Sequence, residues 1–158
     1  MLLLLSVNPI FLAMKMNNQP DISVVVPLYN EEESLPELMQ WIGRVAHESN
    51  LSYEVIFIDD GSTDNTVNIL RRLMQEDDRI QLLEDGICHF GVARNFIHLV
   101  NSSSAQYCMF CDQDDIWHRD KVSKTLDKML QTEENSDVPT LIHTDLRVVN
   151  HSLEVIAP

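Results

Sequence analysis

The chain alternates short apolar runs with segments whose apolar residues recur at helical spacing. The first run, 22–26, is rich in β-branched residues, which is typical of buried strands in a parallel sheet. Five such runs are expected as strands, at 22–26, 55–58, 80–83, 107–111 and 140–144. The segments between them predict amphipathic helices. We therefore predict an α/β fold, a mostly parallel sheet with helices on both faces.

The first helix is predicted to begin near Ser34. Ser34 and Glu37 have the spacing of a capping box, in which each side chain bonds the other residue's backbone N–H. Further along, Asp64 is expected to cap the second helix.

Residues 1–20 are expected to be an N-terminal extension, and residues 21–158 the domain. The apolar part of the extension is too short to span a bilayer, and no basic residue precedes it. Three interpretations stay open: translation starts at Met14 or Met16, the segment is a degenerate signal or membrane-surface anchor, or it folds. We favour the first and expect the extension to have no part in the fold.

Polar clusters follow four of the predicted strands. In open parallel sheets, ligands bind beyond the carboxyl ends of the strands, so these clusters are expected to surround one site. They are Tyr29-Asn30-Glu31, Asp59-Asp60, Asp112 to Asp115, and Asp145.

The third cluster is the best candidate for a metal site. If the backbone stays extended, Asp112 and Asp114 point to the same side. Two close carboxylates repel each other unless a cation lies between them, and hard oxygen ligands suit Mg²⁺ or Mn²⁺. The alternative is a solvated acidic loop in which Asp115 caps the next helix.

Two further groups each allow two interpretations. Asp59-Asp60-Gly61-Ser62 either closes a turn or gives one aspartate to the donors of a nucleotide base or ribose. Arg94 lies at the start of a helix, where it either binds phosphate or pairs with a nearby carboxylate.

Charge and cysteine content narrow the classes of partner. Eleven basic against 25 acidic residues give a net charge of −14. Such a chain is a poor candidate for binding nucleic acid, or anionic lipid by charge alone. Three cysteines cannot make a disulfide framework, so we expect a reducing compartment. Cys108 and Cys111 are expected to be buried thiols on opposite faces of a strand.

The chain contains four motifs in the order Val24 to Glu31, Phe57 to Asp64, Gly91 to Asn95, and Cys111 to Trp117. In this order they resemble the motifs of family 2 glycosyltransferases with the GT-A fold. The first two are similar to dolichol-phosphate-mannose-synthase-like members, and the last to the rhamnosyltransferase-type branch. The resemblance covers about 21–150. The loop 85–90 departs from the Asn-x-Gly that the family often has.

The resemblance implies metal-dependent, inverting transfer of a sugar from a nucleotide-diphospho-sugar donor to a glycan or lipid-linked acceptor, in cell-envelope polysaccharide biosynthesis. Asp112 and Asp114 match the family's Asp-x-Asp signature and would hold Mg²⁺ or Mn²⁺, with Asp112 also near the ribose. Base and ribose would be lined by Pro27, Tyr29, Glu31 and Asp60, with Asp59 adjacent. We expect a cytoplasmic protein, with peripheral association at the inner face of the membrane as the alternative.

In this family the acceptor-binding half and the catalytic base lie C-terminal to the matched region, so the domain is expected to be truncated. A non-catalytic nucleotide-sugar-binding fragment therefore remains the alternative function. A phospho-receiver signalling domain shares the alternating pattern, but it would need a lysine at the end of its last strand, and 140–144 contains none.

Overall fold

The computed structural model describes residues 3–6, 19–84, 91–134 and 138–157. The strands in these ranges are β1 (Leu3–Ser6), β2 (Ile22–Leu28), β3 (Tyr53–Asp59), β4 (Ile80–Leu83), β5 (Tyr107–Phe110), β6 (Leu141–His143), β7 (Val148–Val149) and β8 (Val155–Ala157). The helices are α1 (Leu35–Ser49), α2 (Thr66–Glu76), α3 (Val92–Ser102) and α4 (Lys121–Glu133).

Six strands form one sheet in the order β4-β3-β2-β5-β1-β6. The pairs β4–β3, β3–β2 and β2–β5 are parallel, whereas β1 is antiparallel to both β5 and β6. All five strands predicted from the sequence therefore run in one direction. The prediction of a mostly parallel sheet is confirmed.

Helices cover both faces of this sheet, as predicted. Val24 and Phe57 point to one face, where α1, α2 and α4 pack, and Val25 and Ile56 point to the other, where α3 packs. These residues are at most 3% exposed, because both faces of a parallel sheet are covered. Cys108 and Cys111 are buried in the cores on opposite faces, as expected of structural thiols.

Strand β1 differs from the expectation that residues 1–20 have no part in the fold. Leu4 lies opposite Met109 of β5 and Ile142 of β6, and it is completely buried. The apolar run thus fills the gap between two parallel strands. The sequence did not indicate this, because strand pairing joins segments more than 100 residues apart.

We expect a chain that starts at Met16 to be less stable than the full chain. It loses β1 and the burial of Leu4, and burying a leucine side chain contributes about 1.5–3 kcal/mol. Urea unfolding should show a loss of about that size, with faster hydrogen exchange in β6. Leu4→Ala in the full chain should reproduce much of the loss, and Val155→Ala, at an exposed position, should not. Equal stability of the two chains would contradict the role of β1.

A buried carboxylate joins several segments at the amino end of the sheet. Glu54, at the start of β3, is 6% exposed. Its Oε1 accepts hydrogen bonds from Ser23 Oγ at 2.5 Å and from the backbone N–H and the hydroxyl of Ser104, both at 2.9 Å. Its Oε2 accepts one from Gln81 Nε2 at 2.9 Å. Glu54 therefore connects β2, β3, β4 and the segment after α3.

The last two strands, β7 and β8, do not follow the alternation of strand and helix. β7 and β8 form a separate antiparallel hairpin. Its apolar side chains are largely exposed, with Val155 at 57% and Ile156 at 64%. Of the described helices, none combines the length and the apolar character needed to cross a membrane.

Candidate functional site

The sheet brings three of the four polar clusters to one edge. β3, β2 and β5 are neighbours, and their carboxyl ends lead into the clusters beginning at Asp59, Tyr29 and Asp112. The ends of β2 and β3 are level, because Leu28 pairs with Asp59 and the Asp60 N–H donates to the Leu28 carbonyl at 2.8 Å. β5 pairs with β2 up to Val25, so the chain after Phe110 continues toward the same edge.

Asp145 lies farther away along that edge. It follows β6, which β1 separates from β5. Asp145 is exposed, and its Oδ1 accepts a hydrogen bond from the Leu146 N–H at 2.9 Å. The structure therefore does not place Asp145 with the three central clusters.

The neighbours Asp59 and Asp60 have different surroundings. Asp59 Oδ2 accepts the backbone N–H groups of Gly61 and Ser62, at 3.2 and 3.0 Å, and so closes the turn. Its other oxygen, Oδ1, is buried with no hydrogen-bond partner among the described residues. Asp60 Oδ2 instead accepts the N–H of Gly91 at 3.3 Å, next to the start of α3. The turn function thus belongs to Asp59.

Hydrogen bonds join the loops that follow β2 and β3. The Asn30 N–H donates to Ser62 Oγ at 2.7 Å, and the Thr63 N–H donates to Asn30 Oδ1 at 2.8 Å. Asn30 has φ = +56°, in the left-handed region that asparagine tolerates. The Glu31 N–H donates to the buried Thr66 hydroxyl at 2.8 Å. The two loops therefore form one polar unit at the edge of the site.

The sequence pattern indicated only a small part of this connection. Asp64 was predicted to cap α2, but the N-cap residue is Asn65; Asp64 instead precedes it and accepts the N–H of Thr66, the first residue of α2, at 3.0 Å. Its Oδ2 also accepts the Glu32 N–H at 3.2 Å, and Glu32 Oε2 accepts the Asn65 N–H at 2.8 Å. The density of short polar residues in both loops was the available signal.

The predicted capping box at α1 does not form. Ser34 is the N-cap residue but makes no side-chain cap hydrogen bond. Its hydroxyl instead donates to the carboxylate and the carbonyl oxygen of Glu31. The Glu31 side chain, predicted to contact the donor, thus lies against the start of α1. Pro27 is half-buried within β2, and Tyr29 just beyond it is 52% exposed.

The acidic cluster has three carboxylates, of which those of Asp112 and Asp115 are half-buried and that of Asp114 is exposed. Burial raises the pKa of Asp112 above its ordinary value, and the negative charges of Asp115 and Asp114 raise it further. The Asp115 N–H donates to the Asp112 carbonyl at 3.2 Å, which gives a turn. Asp115 does not cap the next helix, because α4 starts at Lys121 after Asp120 as N-cap residue.

Lys121 is a charged neighbour of this cluster that sequence analysis overlooked. It is half-buried at the start of α4, and this desolvation lowers its pKa. Attraction to Asp115 opposes the lowering, so the ammonium group lies near enough to offset part of the negative charge. A lone lysine near the start of a helix gave no distinctive signal in the sequence.

Arg94 lies in the first turn of α3 and is exposed. Within the described part of the chain it forms no ion pair, so the alternative of pairing with a carboxylate is not seen there. The loop 85–90 precedes α3 and is the one that departs from the family's Asn-x-Gly. It lies outside the described residues.

The donor set of the cluster fits a hard divalent cation only in part. Among the described residues, no group of three or more histidine, cysteine or acidic side chains is arranged to hold a metal ion. Asp112 and Asp114 supply carboxylate oxygens. Burial is the main cause of the raised pKa of Asp112, and the charges of Asp115 and Asp114 add a repulsion that a cation would relieve. The cluster is therefore suited to a Mg²⁺ or Mn²⁺ ion that takes its remaining ligands from water and a bound diphosphate.

Comparison with known proteins identifies the kind of domain. The family model described as glycosyl transferase family 2 matches residues 23–151. A protein of Haemophilus influenzae called an uncharacterized glycosyltransferase is 35% identical over 114 residues, which are 72% of this chain and 44% of that protein. The putative teichuronic acid biosynthesis glycosyltransferase TuaG of Bacillus subtilis is 33% identical over 117 residues, which are 73% of this chain and 44% of TuaG.

Solved structures agree on the fold. A mannosyltransferase from Pyrobaculum calidifontis, solved in complex with GDP-Man and Mn²⁺, superimposes with a TM-score of 0.56 at 24% sequence identity. The match covers 70% of this chain and 32% of that protein. The chain thus spans less than half of each of these three proteins.

Proposed function

The chain belongs to glycosyl transferase family 2, and from that premise we propose that it is the donor-binding part of a metal-dependent, inverting glycosyltransferase. Its donor would be a nucleotide-diphospho-sugar, and its acceptor a glycan or a lipid-linked sugar. The observation that carries the proposal is the meeting of three polar clusters at the carboxyl ends of β3, β2 and β5. In open α/β sheets this edge binds ligands.

We assign the nucleoside to the side of the site formed by the joined loops after β2 and β3. Asp60 lies beside the end of β2 and next to the start of α3, where its carboxylate can accept hydrogen bonds from a base or ribose. Tyr29 is exposed at the same edge and offers an aromatic surface. This side would also be shaped by the backbone at Pro27 and Glu31 and by the turn that Asp59 closes.

We assign the diphosphate to the side formed by the acidic cluster. A chain of net charge −14 repels a diphosphate, so a cation is needed between the two. Asp112 and Asp114 would hold Mg²⁺ or Mn²⁺, which neutralises the charge of the leaving nucleoside diphosphate. Arg94, exposed at the start of α3, would bind a phosphate oxygen.

The proposal of a glycan or lipid-linked acceptor is supported by the relatives and not by residues of this site. TuaG is named for teichuronic acid biosynthesis, which makes a glycan acceptor the natural expectation. An inverting transfer needs a carboxylate base at the acceptor hydroxyl, and we assign none among the described residues. A role in the cytoplasm, or at the inner face of the membrane, would give access to nucleotide sugars.

We expect Asp60→Ala to weaken nucleotide binding roughly ten- to a hundred-fold, because it removes a charge-assisted hydrogen bond worth about 1.5–3 kcal/mol. Isothermal titration with UDP, GDP and dTDP in the presence of Mn²⁺ tests both this and the proposed function. Asp78→Ala is the matched control, since Asp78 is exposed and follows α2. No binding of any of the three nucleotides to the folded chain would contradict the function. Unchanged affinity in Asp60→Ala would contradict only the role of Asp60.

A further inference from the structure

The acidic cluster lies in a segment without helix or strand that has a buried residue at each end. Cys111, just before it, is completely buried, and its N–H donates to the Val25 carbonyl of β2 at 3.0 Å. Trp117, just after it, is 3% exposed. Between them, Asp114 and Ile116 are exposed. The position of the segment therefore depends on how its two ends are held.

Trp117 holds the second end by packing alone. Its indole belongs to the core on the α1 and α4 face of the sheet. It lines a cavity of about 10 Å³ together with Val24, Ile42 and Val122, which come from β2, α1 and α4. Its Nε1 is buried with no hydrogen-bond partner among the described residues. The contribution of Trp117 is thus the volume of the ring rather than its polar group.

The backbone that carries Asp112 and Asp114 lies outside the described helices and strands. The turn hydrogen bond from the Asp115 N–H to the Asp112 carbonyl, at 3.2 Å, is local. The backbone next joins a regular element at Lys121, the start of α4. Fixing a loop in its binding conformation before the ligand arrives raises affinity, because less conformational entropy is lost on binding.

We propose that Trp117 is a positioning residue for Asp112 and Asp114. The inference rests on the proposed function and adds a residue that does not touch the ligand. By filling the core beneath the segment, the indole keeps the two carboxylates in the arrangement that binds a cation together with a diphosphate. Loss of ring volume leaves the carboxylates present but poorly placed.

The test measures how much Mn²⁺ strengthens nucleotide binding in each variant. UDP, GDP and dTDP are titrated with Mn²⁺ and with chelator. In Trp117→Leu we expect the Mn²⁺-dependent gain in affinity to fall about tenfold or more, the range seen when residues that orient metal ligands are removed. Metal-free binding should change little. Trp117→Phe, which keeps an aromatic ring and removes the unpaired N–H, should retain most of the gain.

Ile42→Ala is the matched control for a merely structural effect. Ile42 is 1% exposed, lines the same cavity and belongs to α1, which lies more than 60 residues before the acidic segment in the chain. Urea unfolding of each variant shows how far it destabilises the fold. If Ile42→Ala lowers the Mn²⁺-dependent gain as much as Trp117→Leu does, or if Trp117→Leu leaves the gain intact, the inference is overturned.

Fluorescence supplies a second readout, because Trp41 and Trp117 are the two tryptophans. In a Trp41→Phe background, emission comes from Trp117 alone. We expect Mn²⁺ and nucleotide together to shift it, and an unchanged spectrum at saturation would count against the inference. If the folded, unsubstituted chain shows no Mn²⁺-dependent nucleotide binding, the proposed function fails and this inference fails with it. If the unsubstituted chain binds nucleotide with Mn²⁺ and only the variants give the contrary result, the inference is wrong but the proposed function is not contradicted.

Discussion

Replacing Asp114 or Asp112 by asparagine is expected to remove most of the effect of Mn²⁺ on nucleotide binding, a loss of roughly 100-fold or about 2.7 kcal/mol. Asparagine keeps the shape of the side chain but removes the charge that attracts a hard cation. The larger loss is expected at Asp114, with Asp112 assisting. Isothermal titration with and without chelator measures the metal-dependent part of the nucleotide affinity directly. A variant that loses binding in general would also lose the affinity measured with chelator.

Asp127→Asn is the control for this prediction. Asp127 is exposed on α4, and its replacement changes the net charge of the chain by the same single unit. It should leave the Mn²⁺ effect unchanged, which separates ligation from the overall charge of −14. If Asp114→Asn and Asp112→Asn both bind nucleotide with undiminished Mn²⁺ dependence, the acidic cluster is not the metal site.

The largest effect on stability is expected at Glu54. Glu54→Ala removes the acceptor of four hydrogen bonds and leaves the buried Ser23 hydroxyl without this partner. Since hydrogen bonds to charged groups contribute about 1.5–3 kcal/mol each, and partners left unsatisfied add a penalty, we expect a loss of roughly 3 kcal/mol or more. Urea unfolding measures it.

Glu54→Gln separates the contribution of the hydrogen bonds to stability from that of the side-chain volume. Glutamine keeps one carbonyl acceptor and should lose clearly less stability than alanine. Glu76→Ala is the matched control, because Glu76 is exposed and pairs only loosely with Arg72 at 3.9 Å. Such surface pairs contribute about 0–1 kcal/mol. A loss in Glu54→Ala no greater than in Glu76→Ala would show that the network contributes nothing.

Glu54 should affect stability without affecting the site. It lies at the other end of β3 from Asp59, five residues away, or about 16 Å at the rise of a strand. Under conditions where Glu54→Ala is fully folded, its nucleotide affinity should match that of the unsubstituted chain. The stability and binding predictions can therefore be tested independently of each other.

The sequence predicted the architecture because each element carries its own periodicity. The strands that pair as β2, β3 and β5 were recognisable from runs such as 22–26, with bounds that differ from the structure by two residues or fewer at most ends. Their polar ends could be expected to meet because parallel strands share an edge. Residue roles at that edge, including those of Pro27, Tyr29 and Arg94, remain predictions.

The predictions that were wrong and the contacts that were missed depended on hydrogen-bond geometry that residue spacing does not show. Ser34 and Glu37 had the right spacing for a capping box, but the Ser34 hydroxyl bonds Glu31 instead. Glu54 precedes the predicted strand 55–58, and its carboxylate accepts hydrogen bonds from Ser104, which lies 50 residues away.

The sequence by itself thus determined the alternation of strand and helix, the direction of the main strands and the edge at which polar residues gather. These follow from local hydrophobic periodicity and from the general geometry of parallel sheets. Only the tertiary structure decided that Leu4 fills a gap between β5 and β6, that Asp59 rather than Asp60 closes the turn, and that Trp117 packs beneath the acidic segment. The physical reason is that packing and hydrogen-bond geometry set these contacts rather than spacing along the chain: Leu4 and Trp117 contact residues that are distant in the sequence, and Asp60 accepts a hydrogen bond from Gly91, 31 residues away.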